Sequence, residues 1–193
     1  RAAAYGGFGA VMAMANTKPV NDNASVTKYM LDKAAASHPH GPRLWPVGAL
    51  TIGLEGKELA PLGELAEAGC VAFSNDGRPV TNTEIFRRGM EYASQWNRIV
   101  IDHCEDEFLA SGTHMNEGVV SGRLGFNAKP TGPVPFHGPA AFLLVAYWEI
   151  PVHFHQITSP QPGDLFDSPK STDTKIRTEP SPLFMFPNQT SRK

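Results

Sequence analysis
Short apolar runs alternate with amphipathic stretches along the first hundred residues. Residues 10–14 (Ala-Val-Met-Ala-Met) follow a helix end and a Gly6-Gly7 turn, and read as a fully buried strand. Asn21, Asp22 and Asn23 offer N-caps for a helix over about residues 24–36, where Val26, Tyr29, Met30 and Ala34 recur at helical spacing. The pattern then predicts a strand at 44–50, a helix over 57–68 interrupted near Pro61 and closed by Gly69, and a strand at 70–73. An amphipathic helix over about 82–96 follows, with Ile85, Phe86, Met90, Ala93 and Trp96 on one side and Thr81 and Thr83 as candidate caps. A strand at 99–101 leads into Asp102, His103, Glu105 and Asp106. Strands alternating with helices in this way predict βαβ units and a parallel sheet.

Beyond about Leu124 the pattern changes. Eleven of the 17 prolines fall between Pro130 and Pro187, which works against regular elements there. Residues 140–147 fit a helix or a strand, and 151–157 read as a further strand. After Ser159 the chain is polar and proline-rich, so residues 160–193 are expected to be an irregular tail.

Composition narrows the function classes. The chain has 193 residues, 41% of them hydrophobic, enough for a real core. A net charge of −2 argues against broad electrostatic binding to nucleic acid or to an acidic membrane. No apolar run approaches the roughly 18 residues of a spanning helix. The opening Arg-Ala-Ala-Ala-Tyr reads as the inside of a helix, so a partial chain is expected. Cys70 and Cys104 fall in apparent strands without framework spacing, which favours free thiols in a reducing, cytoplasmic compartment.

Candidate chemistry gathers where strands end, because barrels and doubly wound sheets place their sites there. Asp76 ends one βα unit and His103 the next, while His153 and His155 lie in a later strand. A lone His in an apolar strand is more often a core residue. Imidazole and carboxylate converging on one face, however, suit zinc or another divalent first-row ion. Asn16 also follows a strand directly. It fits a turn-forming role or contact with a substrate carboxylate. Glu105 and Asp106 fit either acceptors that orient metal ligands or helix caps. Asn116 and Glu117 fit either polar groups of the site or a helix start. His38 and His40 precede their strand, so they belong to a surface loop on the opposite face.

Five segments occur in one order and spacing: Gly6-Gly-Phe8, Met14-Ala-Asn-Thr-Lys-Pro-Val20, Phe73-Ser-Asn-Asp-Gly77, Asp102-His-Cys-Glu-Asp106 and Met115-Asn-Glu-Gly118. Together they resemble the longer bacterial class of dihydroorotase, in the amidohydrolase superfamily, over about residues 1–125. The resemblance implies a metal-dependent (β/α)8 barrel with one or two zinc ions. It also implies interconversion of N-carbamoyl-L-aspartate and dihydroorotate in pyrimidine synthesis. Carried over by motif, Asp76 and His103 resemble metal ligands, and Asn16 resembles a residue that contacts the substrate carboxylate. The implied partners, besides the small substrate, are a homodimer mate or aspartate carbamoyltransferase. Two other readings stand beside it: a hydantoinase- or allantoinase-like amidohydrolase, and a non-catalytic scaffold subunit of the same fold.

Departures from the family pattern are specific. Ala15 stands where the family has Pro, and Asn75 where it has the first Asp of Asp-Asp-Gly. The family's next metal His lies in His-x-x-His-Val-Ser; counted from His153, Gln156 takes its place, and a one-residue slip makes it His155. The family's first strand, with a His-x-His pair and a substrate Arg, is expected before residue 1, and the catalytic Asp beyond residue 193. Residues 1–159 are therefore expected to form about four to five βα units of an incomplete barrel that lacks the catalytic Asp and is inactive alone.

Overall fold
The computed structural model describes residues 2–37, 40–103, 105, 107–130, 152–157 and 177–180. Its centre is a six-stranded parallel sheet in the order β1-β2-β3-β4-β7-β8, built from Ala10–Ala13, Arg43–Ala49, Ala72–Ser74, Ile99–His103, Val152–Ile157 and Arg177–Pro180. The first four strands neighbour one another in chain order. That succession is the arc of a (β/α) barrel, since a doubly wound sheet reverses its strand order partway.

Helices fill the crossovers. After α1 (Ala2–Tyr5), α2 (Ala24–Ser37) joins β1 to β2, α3 (Leu62–Ala68) joins β2 to β3, and α4 (Thr83–Gln95) joins β3 to β4. Asn23 caps α2, its Oδ1 accepting from the N–H groups of Ser25 and Val26. Asn82 caps α4, accepting from Glu84 and Ile85. The expected caps Thr81 and Thr83 flank it instead, because the residue preceding the first helical turn is the one whose side chain reaches back to its free N–H groups. Gly69 ends α3 in the left-handed region, at φ 115°, where a Cβ would be strained.

Strand residues alternate between two faces. Leu50, Phe73 and Val100 point to the helices and pack with Leu65, Met90 and Ala93 in the main core. Val47, Ala72 and Ile101 form a smaller cluster on the other face, with Met14 and Ile99 against it. Gly89 lets α4 approach the sheet closely: a Cβ there would sit 2.8 Å from Leu50 Cδ1.

Several expectations are corrected. The strand at 10–14 is not fully buried; Met12 is 44% exposed. The helix expected over 57–68 starts only at Leu62, because residues 51 and 59 form an antiparallel bridge after a short 3-10 turn, Ile52–Leu54. Cys70 precedes β3 rather than lying in it, and is buried and free. Asn116 belongs to a two-residue strand, β5 (Met115–Asn116), which pairs in parallel with β6 (Ala128–Lys129) around α6 (Val119–Leu124). A four-residue helix, α5 (Glu107–Ala110), precedes that excursion. Arg177–Pro180 is a strand inside the stretch expected to be irregular; pairing with β7 supplies the backbone partners that its composition does not predict. Cys104, Asp106, residues 140–147 and the remainder of 160–193 lie outside the described residues.

Candidate functional site
The site residues come from consecutive strand ends. In β3, Phe73 faces the helices, so Ser74 faces the other side. Beyond the strand, Asn75 turns back toward the loop after β2, and Asp76 returns to the face of Ser74. In β4, Ile101 and His103 share that same face, and Ser74 is paired with Ile101. Asp76 and His103 are thereby brought together: His103 Nδ1 lies 3.4 Å from Asp76 Oδ1, with the two side chains only 14% and 18% exposed. Asn16, from the turn after β1, donates from Nδ2 to Asp76 Oδ2 at 3.0 Å. Three strand ends thus meet on one carboxylate.

The pair is electrostatically coupled. The Asp76 carboxylate raises the His103 pKa above its ordinary value; burial pulls it down, and Glu105 and Asp102 add smaller upward contributions. Yet Nδ1 is buried and makes no hydrogen bond of good geometry. The spacing fits a shared cation. Two donors at about 2.0–2.1 Å on one tetrahedral ion lie about 3.3 Å apart. A carboxylate and a buried imidazole nitrogen without a hydrogen bond therefore fit part of a zinc-type donor set. Among the described residues, no third His, Cys, Asp or Glu completes it. The backbone register pairs His155 with His103, and so favours His155 over Gln156 as the position opposite.

Supporting residues hold the two loops. Asn75, 5% exposed, accepts from Thr51 N–H at 3.0 Å and donates to Thr51 Oγ1 at 2.6 Å. Thr51 Oγ1 also accepts from Gly56 N–H at 2.9 Å. Because a hydroxyl either donates or accepts, Asp and Asn can both serve at position 75, which accounts for the departure from Asp-Asp-Gly. Asn21, fully buried, anchors the turn that carries Asn16. Its amide donates to Val47 O at 2.9 Å, and its Oδ1 accepts from Thr27 Oγ1 at 2.7 Å. Cys70 lies against Thr27 and Asn21; burial pushes its thiol pKa up, opposed by those contacts. Asp22 Oδ2 accepts from Gly53 N–H at 2.9 Å, tying the same turn to the loop after β2.

Other candidates fall elsewhere. The Glu105 carboxylate is held by Lys129 Nζ at 2.9 Å, and its backbone N–H donates to His103 O at 2.8 Å. Asn116 and Glu117 are exposed, and Glu117 N–H donates to Lys129 O in the β5–β6 ladder. His40 is exposed in the turn before β2, at the end of the sheet opposite the site; His38 lies outside the described residues. Ser74 was not singled out from the sequence, and Asn21 was read only as a candidate helix cap, whereas Asn23 caps α2 and Asn21 is a buried anchor. The signal for Ser74 was available: it stands two residues before Asp76, on the same face at the same strand end.

The comparisons with known proteins bear on the family and the fold. A family described as dihydro-orotase-like matches residues 1–143. The chain is 40% identical to a dihydroorotase of Geobacter metallireducens and 41% identical to one of Geobacter sulfurreducens, over 95% of its length in each case. Those matches cover 43% of each relative, so the chain spans less than half the length of the curated relatives it matches. They also reach past residue 160, beyond the segments that carry the motif resemblance. In three dimensions it is similar to an L-hydantoinase (dihydropyrimidinase) from Arthrobacter aurescens, with a TM-score of 0.67 at 14% identity, over 92% of this chain and 40% of that one. At that identity the likeness shows the fold: part of an amidohydrolase-type TIM barrel. With the family match extending over most of its residues, the chain belongs to the dihydro-orotase-like family.

Proposed function
We propose that the chain supplies part of the metal site of a dihydroorotase, which interconverts N-carbamoyl-L-aspartate and dihydroorotate by opening and closing a cyclic amide. One observation carries this reading: His103 Nδ1 and Asp76 Oδ1 lie 3.4 Å apart at the ends of adjacent parallel strands. A zinc-type ion, when bound, lowers the pKa of a water and polarises a carbonyl. Asp76 and His103 would hold it, with His155 the position from which a third donor would come.

The chain's own groups then have defined tasks. Asp76 offers one carboxylate oxygen toward His103 while the other is fixed by Asn16. Asn16 is exposed on its outer side, so its amide is available to a substrate carboxylate as well as to Asp76. His103 must be neutral at Nδ1 to act as a ligand. The Asn75–Thr51 and Asn21–Thr27 contacts fix the loops, so that the strand ends reach the ligand without reorganising.

The test is ring opening of dihydroorotate by a full-length dihydroorotase carrying this chain, with and without zinc. Turnover should depend on the metal and be lost in Asp76→Ala and in His103→Ala. Turnover without metal, or retained in either variant, would overturn the assignment. The 193 residues alone are expected to bind zinc weakly and to give no measurable ring opening; robust turnover by them would show that two donors and this partial barrel suffice.

A further inference from the structure
Ser74 is fully buried, and its Oγ has no hydrogen-bond partner. A buried hydroxyl left unpaired carries an uncompensated desolvation cost, and most buried polar groups avoid that state. Its register neighbours explain the isolation: Ala49 on one side and Ile101 on the other carry no polar side-chain atom. The polar groups on its face lie one step further along, at Asp76 and His103. There a second buried polar atom, His103 Nδ1, has only the 3.4 Å approach to Asp76 Oδ1, too poorly aligned for a good hydrogen bond. Asn75, between Ser74 and Asp76, points the other way and is committed to Thr51. An unpartnered hydroxyl and a poorly aligned imidazole nitrogen therefore stand on one face of two adjacent strands, below and within the candidate site.

Resting on the metal-site reading above, we infer that Ser74 is a positioning residue for the ion: its hydroxyl stays unpartnered until the site is loaded, and then hydrogen-bonds an oxygen ligand, the Asp76 carboxylate or a metal-bound water. Loading turns an unsatisfied buried donor into a satisfied one, so part of its desolvation cost is returned on binding. Groups that contact first ligands in this way typically change metal affinity by about 10- to 100-fold when removed. A hydroxyl with only a structural role behaves oppositely, since its loss weakens the fold whether or not metal is present.

The experiment compares wild type, Ser74→Ala and Ser74→Thr in a full-length dihydroorotase carrying this chain. Zinc affinity is measured by competition with a chromophoric chelator, and thermal unfolding with and without zinc. Ser74→Ala should leave the metal-free melting temperature unchanged or raise it, weaken zinc about tenfold, and shrink the zinc-induced rise in melting temperature. Ser74→Thr, which keeps the hydroxyl, should bind zinc more tightly than Ser74→Ala. Wild-type zinc binding that Ser74→Ala does not weaken would overturn the Ser74 assignment alone. A lower metal-free melting temperature with unchanged affinity would make Ser74 structural. Wild type that binds no zinc would overturn the metal-site reading, and the Ser74 assignment with it.

Discussion
The two faces of the sheet are built on different terms. On the helix-covered face, Leu50, Phe73 and Val100 are buried under Leu65, Met90 and Ala93. On the other face, only the middle is apolar and buried, at Val47, Ala72 and Ile101. At one end of that face Met12 and Trp45, paired in register, are 44% and 41% exposed; at the other stand Ser74, Asp76 and His103. The first face stores stability. The second keeps unsatisfied polar atoms at its functional end, the pattern in which a site is maintained at some cost to the fold. Substitutions on the two faces should therefore separate activity from stability.

The largest separation is expected at Asp76. In a full-length dihydroorotase carrying this chain, Asp76→Ala should lower turnover about a thousandfold or more, since a metal contributes several kcal/mol to the transition state and about 1.4 kcal/mol is a factor of ten. Stability of the metal-free protein should change little. Steady-state turnover beside a denaturant melt checks both, and a large loss of stability would mean that the two faces are not independent.

The helix-covered face should answer in reverse. Phe73 is fully buried at the centre of the core, and Phe73→Ala should cost about 3–5 kcal/mol by loss of packing and creation of a cavity. Gly89→Ala is a finer probe. Its new Cβ would lie 2.8 Å from Leu50 Cδ1, so overpacking should cost about 1–3 kcal/mol despite the gain in helix propensity. Asn82→Ala removes the α4 cap, at about 1 kcal/mol. Chemical denaturation of the three variants ranks them; a neutral Gly89→Ala would show that α4 can move off the sheet.

The same contrast explains what the sequence made legible. The helix-covered face was written in periodicity: the stripe Phe86, Met90, Ala93 and the runs around Val47, Phe73 and Val100 predict both elements and core. Asp76, His103 and Asn16 were singled out because strand ends are where such sites are built, with motif order as added support. The structure adds which oxygens and nitrogens meet. Ser74 was missed because a serine at the end of an apolar run reads as a turn residue, and only its burial without a partner sets it apart. Thr81 and Thr83 misled because three adjacent residues are all good caps, and the exact first turn decides among them. The helix expected from Lys57 failed because an antiparallel bridge between residues 51 and 59 satisfied the backbone first. Arg177–Pro180 was unreadable for a related reason: a short polar strand gains its stability from the partner strand, not from its own pattern.

The smallest effect expected is also the sharpest probe of the site face. The Asp76 carboxylate raises the His103 pKa in the folded, metal-free protein above its unfolded value of about 6.5. A raised folded pKa means that the native state holds the proton more tightly. The resulting stabilisation is fully present below the unfolded value and is lost as pH rises through the folded one. Metal-free protein should therefore become modestly less stable across that window, and Asp76→Ala should remove that part of the slope. Zinc affinity should run the other way, rising with pH, because the ion competes with the proton for the imidazole. Denaturant melts of the metal-free protein at a series of pH values, beside zinc titrations at the same values, give both slopes. Opposite slopes that vanish together in Asp76→Ala would tie proton and metal to one pair of side chains; a slope in stability unchanged by Asp76→Ala would assign it to groups outside the site.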